Sequence, residues 1–232
     1  MSDAEALVID VRGLTKSFGG RRVVNEVSLQ VGRGEIFGFL GPNGSGKTTS
    51  IRIMCGLLTP DSGSGTCLGY DIVKQSGEIK RRVGYMTQRF SFWDDLSIRE
   101  NLDFVARIYG ADTDALVAYV EDFAELGDFM DMPVRSYSSG MRARLAFGMS
   151  MGIAFDWYLV DEITAVGDAA FRAKCLTVFR TRLKDTGMLM TSHSPATIRA
   201  YCRSGLVLEG GDATYFEDVE AAIAQHERNM AA

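Results

Sequence analysis

The stretch Gly41-Pro-Asn-Gly-Ser-Gly-Lys-Thr-Thr49 constrains this chain more than any other part of it. It has the spacing GxxxxGK[ST] and stands between an apolar run, Ile36-Phe-Gly-Phe-Leu40, and residues 47–57, where Ile51, Met54 and Cys55 share a helical face. Strand, glycine loop and helix, in that order, make a phosphate-binding loop. Glycines let backbone N–H groups turn inward around phosphate oxygens, and the helix N-terminus adds partial positive charge. Lys47 is then placed to reach the β- and γ-phosphates and Thr48 to hold Mg²⁺. A plain glycine turn ahead of a helix is the competing reading, and the complete motif in its context argues against it.

A second group of candidates follows strand ends. The apolar run 157–160 leads into Asp161-Glu162, two acids at the end of a strand, where open α/β sheets collect ligands. Asp161 is read as a contact of Mg²⁺ or its water shell, and Glu162 as the general base that polarises the attacking water. An acid pair after a strand is by itself more often a loop entry; downstream of a complete phosphate loop the catalytic reading is preferred. His193 follows the strand 188–191, so its imidazole has a route to the γ-phosphate, against the usual reading of a lone histidine as surface or satisfied core. His226, in a polar C-terminal helix, keeps that ordinary reading.

Length and composition bound the rest. At 232 residues and 46% hydrophobic content the chain buries a full core as one domain, 1–232. A formal charge of −5 speaks against a general nucleic-acid binder, so no nucleic acid is expected as partner. The basic pair Arg81-Arg82 is read as solvated surface. Cys55, Cys67, Cys175 and Cys202 lie far apart with no CxxC pairing, which fits reduced thiols in a cytosolic protein better than zinc or disulfides. The N-terminus has no basic region followed by an apolar run, and no stretch of about 18 apolar residues occurs. The expectation is a chain neither secreted by that route nor membrane-spanning by itself.

Periodicity predicts strands over 7–14, 23–31 and 35–40, separated by Gly19-Gly20 and Gly32-Arg-Gly34. Ser97-Ile-Arg-Glu100 has capping-box form and predicts a helix from Ile98 to about Tyr109. Leu116, Tyr119, Val120, Phe123 and Leu126 mark a second amphipathic helix, and together these suggest a helical subdomain, about 90–154, inserted in one unit. Beyond it come a helix over 169–184, a strand over 188–191, a helix capped by Ser194-Pro195 and a hairpin of 206–209 with 213–216.

Further motifs carry a resemblance. Tyr137-Ser-Ser-Gly-Met141 resembles the signature loop of ABC ATPases, Leu-Ser-Gly-Gly-Gln; Gln88 in Tyr-Met-Thr-Gln matches the Q-loop; Ala165-Val-Gly-Asp168 resembles the D-loop and Ser192-His193 the switch. The family implies an α/β fold: a P-loop NTPase core with a mixed sheet, an antiparallel β subdomain and an inserted helical subdomain. It implies ATP and Mg²⁺, with ATP held by Phe18, Gly41, Asn43, Gly44, Ser45, Gly46, Lys47, Thr48 and Thr49. Phe18 takes the place of the adenine-stacking aromatic, usually tyrosine. Catalysis falls to Glu162, His193 and Gln88, metal binding to Thr48, Gln88 and Asp161, and the D-loop role to Asp168. In such ATPases two domains close head to tail, so Ser138, Ser139 and Gly140 would meet the γ-phosphate held by the other copy of a homodimer. The signature departs at Tyr137, Ser139 and Met141; a positive φ required at Ser139 would slow closure.

The resemblance also implies an integral membrane permease as partner and a cytoplasmic place, peripheral on the inner face of the cell membrane. Residues 137–148, 120–127, 161–168 and 192–195 look like ATPases that export capsular and other surface polysaccharides, whereas residues 35–110 look closer to multidrug-type exporters, the join lying near 105–111. Phe90, Phe92 and Trp93 divide between core packing and contact with the membrane subunit. The function expected is an exporter ATPase, with surface polysaccharide favoured and a drug or lipid exporter as alternative. Soluble ABC ATPases of ribosomes carry two cassettes and those of DNA repair long coiled coils, and this chain has neither.

Overall fold

The computed structural model describes residues 7–87, 91–161, 169–192, 194–210 and 212–231. In chain order the elements are β1 (Leu7–Phe18), β2 (Arg21–Gly32), β3 (Ile36–Leu40), α1 (Lys47–Met54), β4 (Ser62–Cys67), β5 (Tyr70–Asp71), α2 (Ser76–Arg82) and β6 (Val83–Met86). Then follow α3 (Ile98–Tyr109), α4 (Thr113–Ala124), two 3₁₀ turns, α5 (Ser139–Gly152), β7 (Trp157–Asp161), α6 (Ala169–Thr186), β8 (Met188–Thr191), α7 (Pro195–Tyr201), β9 (Ser204–Glu209), β10 (Asp212–Phe216) and α8 (Val219–Ala231).

Contacts divide the chain into two units, one of residues 1–85, 155–162 and 183–232, the other of 86–154 and 163–182. In the first, alternation puts Val27, Leu29 and Val31 of β2 inward and Glu26, Ser28 and Gln30 outward, as a half-buried strand requires. It pairs antiparallel with β1, which pairs with β4, giving the antiparallel sheet β2-β1-β4-β5. The second sheet runs β10-β9-β3-β8-β7-β6. Its centre is parallel, β9 to β3, β3 to β8 and β8 to β7, and β10 returns antiparallel on β9, so the sheet is mixed. Trp157 to Val160 and Met188 to Thr191 are buried at every position, which explains why both runs lack alternation and are apolar up to Thr191. Phe37, Phe39, Ile51, Met54, Leu159, Leu189 and Leu206 make the core between sheets and helix α1.

Some boundaries differ from the sequence expectation. The helix after the loop ends at Met54, not 57, because Gly56 turns to φ +69, where a Cβ would meet Ser76 Cβ at 2.7 Å. Strand β1 runs on to Phe18 through register shifts between Val11 and Ser17. Strand β4, Ser-Gly-Ser-Gly-Thr-Cys, has no hydrophobic period to betray it; Gly65 lies so close to β1 that a Cβ would sit 2.3 Å from the Asp10 carbonyl oxygen.

In the second unit α3 starts with the capping box: Ser97 Oγ accepts from Glu100 N, and the Glu100 side chain accepts from Ser97 N. Phe123 of α4 stacks on Phe147 of α5 at 5.4 Å and meets Phe171 of α6 edge-on at 5.3 Å. Gly148 and Gly152 let α4 approach α5, since a Cβ on Gly152 would sit 2.5 Å from Leu116 Cδ1. Glu125, at φ +55, ends α4 and is held by Lys174 Nζ at 2.7 Å and Arg144 at 3.5 Å.

Candidate active site

The phosphate loop is shaped by what its glycines exclude. Gly41, at φ +150, brings its Cα so near β9 that a Cβ would lie 2.4 Å from the Leu208 carbonyl oxygen; at Gly46, φ +99, a Cβ would lie 2.4 Å from the Val23 carbonyl oxygen. The loop is therefore clasped between β9 and β2 as it enters α1. It bounds a cavity of about 160 Å³ lined by Val23, Asn43, Gly44, Gly46, Lys47, Thr48 and Thr49. Lys47 is buried, and its Nζ donates to the carbonyl oxygens of Gly41 at 2.6 Å and Pro42 at 2.9 Å, folding the cation over the loop. Ser45 Oγ is buried with no hydrogen-bond partner. A cradle too narrow for side chains, a cation and an unsatisfied hydroxyl are the features an anionic phosphate chain completes. Phe18 is not among the lining residues; it ends β1 half exposed, with Lys16 Nζ 5.7 Å from its ring centroid.

The acid end of β7 meets this loop. Asp161 Oδ1 accepts from Thr48 Oγ1 at 3.1 Å and from Thr191 Oγ1 at 2.8 Å, and Oδ2 accepts from Tyr85 Oη at 3.1 Å. Arg52 Nε in turn donates to Tyr85 Oη at 3.5 Å. Burial pushes the Tyr85 phenol up to about 12, so it remains a protonated donor. A carboxylate and a threonine hydroxyl are hard oxygen ligands of the kind Mg²⁺ takes alongside phosphate oxygens. Among the described residues no group of three or more His, Cys, Asp or Glu side chains is gathered to hold a metal by protein ligands alone. Glu162, Asp168, His193 and Gln88 lie outside the described residues, as does Phe90.

Sequence reasoning missed three residues here. Thr191 could have been found from the parallel register, which sets it beside Asp161 once β7 and β8 are neighbours. Tyr85, in the Tyr-Met-Thr-Gln run, and Arg52, one helical turn after Thr48, carry no motif signal. His226 is buried, its Nδ1 without a hydrogen-bond partner, and burial, then the charge of Lys47, holds its pKa below the usual histidine value. The four cysteines are free and buried; burial pushes each thiol up to about 12, leaving them inert. Arg81 and Arg82 are exposed surface cations, paired with Glu78 and Asp156.

In the second unit, Ser138 caps α5 by accepting from Met141 N at 3.3 Å, and Ser138, Ser139 and Gly140 are all exposed. Ser139 is an ordinary helical residue and not among those with positive φ, so the feared strain at this departure from glycine is absent. A Cβ on Gly140 would find only Ser138 Oγ, at 3.9 Å, which leaves this helix N-terminus open to an approaching anion. Tyr137 replaces leucine as a buried ring, edge-on to Phe129, its hydroxyl bonded to the Phe129 carbonyl. Trp93 is exposed and packs against exposed Phe104 at 4.2 Å, while Phe92 is half-buried. Among the described residues no helix is long and apolar enough to cross a membrane.

Residues 24–165 match a family model described as ABC transporter. The chain belongs to the ABC transporter ATPase family. It is 38% identical to the polysialic acid transport ATP-binding protein KpsT of Escherichia coli over 226 residues, covering 94% of this chain and 96% of that one. The capsule polysaccharide export ATP-binding protein CtrD of Neisseria meningitidis is also 38% identical, over 92% of this chain and 94% of its own length. A probable multidrug ABC transporter ATP-binding protein, YbhF of E. coli, is 34% identical, and this chain covers 36% of it. The fold matches a solved structure of an ATP binding subunit of an ABC transporter, with TM-score 0.83, 22% identity and 94% of each chain covered. This ABC ATPase therefore binds ATP and hydrolyses it in the service of transport. Both kinds of relative match across most of the chain, the polysaccharide-type ones more strongly.

Proposed function

We propose that this ATPase works as a homodimer that powers export of capsular or other surface polysaccharide through a separate membrane permease, from the inner face of the cell membrane. The observation that carries the site is the meeting of Thr48 and Thr191 hydroxyls on one Asp161 oxygen, Thr48 being the residue after the loop lysine. The cargo assignment is supported by the 38% identity with KpsT and CtrD, whose names give polysialic acid transport and capsule polysaccharide export. Identity with YbhF, whose name gives multidrug transport, supports the drug half of the weaker reading, a drug or lipid exporter.

ATP's phosphates lie in the loop with Lys47 released from the Gly41 and Pro42 carbonyls to meet them, the exchange costing two neutral acceptors and gaining anionic ones. Asn43, Gly44, Ser45, Gly46 and Thr49 supply further contacts, and Phe18 stacks on the adenine. Thr48, Asp161 and Gln88 would hold Mg²⁺, which neutralises charge developing on the phosphates when bound. Glu162 takes the proton of the attacking water, with His193 and Gln88 orienting the reaction and Asp168 at the dimer seam. Ser138, Ser139 and Gly140 of one copy offer the open N-terminus of α5 to the γ-phosphate held by the other. Exposed Trp93 and Phe104 form an apolar patch suited to the permease, and the helical subdomain that carries it is an insertion in one ATPase domain.

Glu162→Gln tests the chemistry: turnover falls by about 10²–10⁴-fold while ATP binding is kept and an ATP-bound dimer accumulates. Unchanged turnover rejects Glu162 as base. Isolation of the complex from membranes and assay of cell-surface polysaccharide in a deletion strain test the cargo; normal polysaccharide display would reject it.

A further inference from the structure

A carboxylate held at one oxygen still swings about its Cβ–Cγ bond, where the torsional preference is broad. Asp161 is held at both. Thr48 and Thr191 donate to Oδ1, and the hydroxyl of Tyr85 donates to Oδ2 at 3.1 Å. We propose that Tyr85 is a positioning residue for the Mg²⁺ carboxylate, setting the plane of Asp161 before metal and nucleotide arrive.

Two features make this hydroxyl a built part of the site. Arg52 stands one helical turn beyond Thr48 on α1, so the same helix face reaches Asp161 directly through Thr48 and a second time through Arg52 and Tyr85. Strand β6 is also drawn close to the residues around β7: a Cβ on Gly84 would sit 2.5 Å from Phe155 Cδ2 and 3.0 Å from Tyr158 Cδ1. Only glycine next to Tyr85 admits that approach, and the approach brings the half-buried phenol within reach of Oδ2. Phenylalanine would fill the same space and leave Oδ2 without its protein donor.

The proposal rests on the reading of Asp161 as an Mg²⁺ residue, and the experiment separates the two. Binding of a fluorescent ATP analogue is titrated in EDTA and then against Mg²⁺ for the native chain, Tyr85→Phe and Asp161→Asn. In EDTA, Tyr85→Phe binds within twofold of the native chain, because the glycine loop is untouched. The Mg²⁺ concentration for half the tightening rises about tenfold in Tyr85→Phe, the low end for one hydrogen bond to a charged group, and further in Asp161→Asn. A native Mg²⁺ titration in Tyr85→Phe beside a shifted one in Asp161→Asn overturns the proposal and leaves the site reading standing. An equal loss in EDTA also overturns it, since that is damage to the fold. A native titration in Asp161→Asn overturns both.

Discussion

Two glycines of positive φ separate backbone strain from steric contact. Gly34, at φ +74 in the turn between β2 and β3, has open space where a Cβ would go; Gly46, at φ +99, has the Val23 carbonyl oxygen 2.4 Å from that point. Gly34→Ala therefore carries only the cost of an L-residue in the left-handed region, about 1–2 kcal/mol. For a domain of this size that lowers the melting temperature by about 2–8 °C. Gly46→Ala carries a similar backbone cost and a collision. A carbon normally stays about 3.3 Å or more from a carbonyl oxygen, so the loop must retreat from β2 by about 1 Å. A displacement of that size at reacting groups costs about 10²-fold in rate. Steady-state ATPase assays with melting curves decide it: Gly46→Ala loses about two orders of magnitude in kcat/KM, while Gly34→Ala stays within twofold of the native chain. Equal turnover in the two variants would refute the claim that contact with Val23 sets the loop.

Protonating buried His226 must desolvate a charge near Lys47, which outweighs the opposing pull of Glu227 and Glu209. Its folded pKa lies below 6.5, so the unfolded chain binds the proton first; stability is full above pH 6.5 and is lost as pH falls through the folded value. Melting temperatures from pH 8 to 5 should fall more steeply for the native chain than for His226→Leu. Gly84→Ala forces a methyl against Phe155 and Tyr158 and should cost about 1–3 kcal/mol by urea denaturation. Ser138→Ala removes the α5 cap, costing about 1 kcal/mol in stability, and in mixtures with native chains its ATPase defect should appear in the partner's site, a purely cis effect rejecting the shared dimer.

Much of the fold was legible because its signals are local. The capping box at Ser97, Pro195 after Ser194 and the glycine loop between Leu40 and Lys47 are spacings of a few residues, and α3, α7 and α1 begin where they say. Strand β4 was not legible, because its glycines trade the alternating pattern for close backbone approach to β1. His226 looked like an unremarkable helical residue, and only the packing of α8 removes it from water. Thr191 ended an apolar strand with nothing to mark it until β8 paired with β7.

That a glycine loop opens α1, and that acids follow a buried strand, belonged to the sequence itself, since the glycine spacing dictates a backbone that turns its N–H groups inward. How Asp161 is aimed belonged to the tertiary structure. Its three partners, Thr48, Tyr85 and Thr191, come from three separate elements of the chain, α1, β6 and β8, and no period or spacing relates them. Sheet register and the contact permitted by Gly84 bring them together, because a hydrogen-bond network closes only when the strands that carry it have already packed.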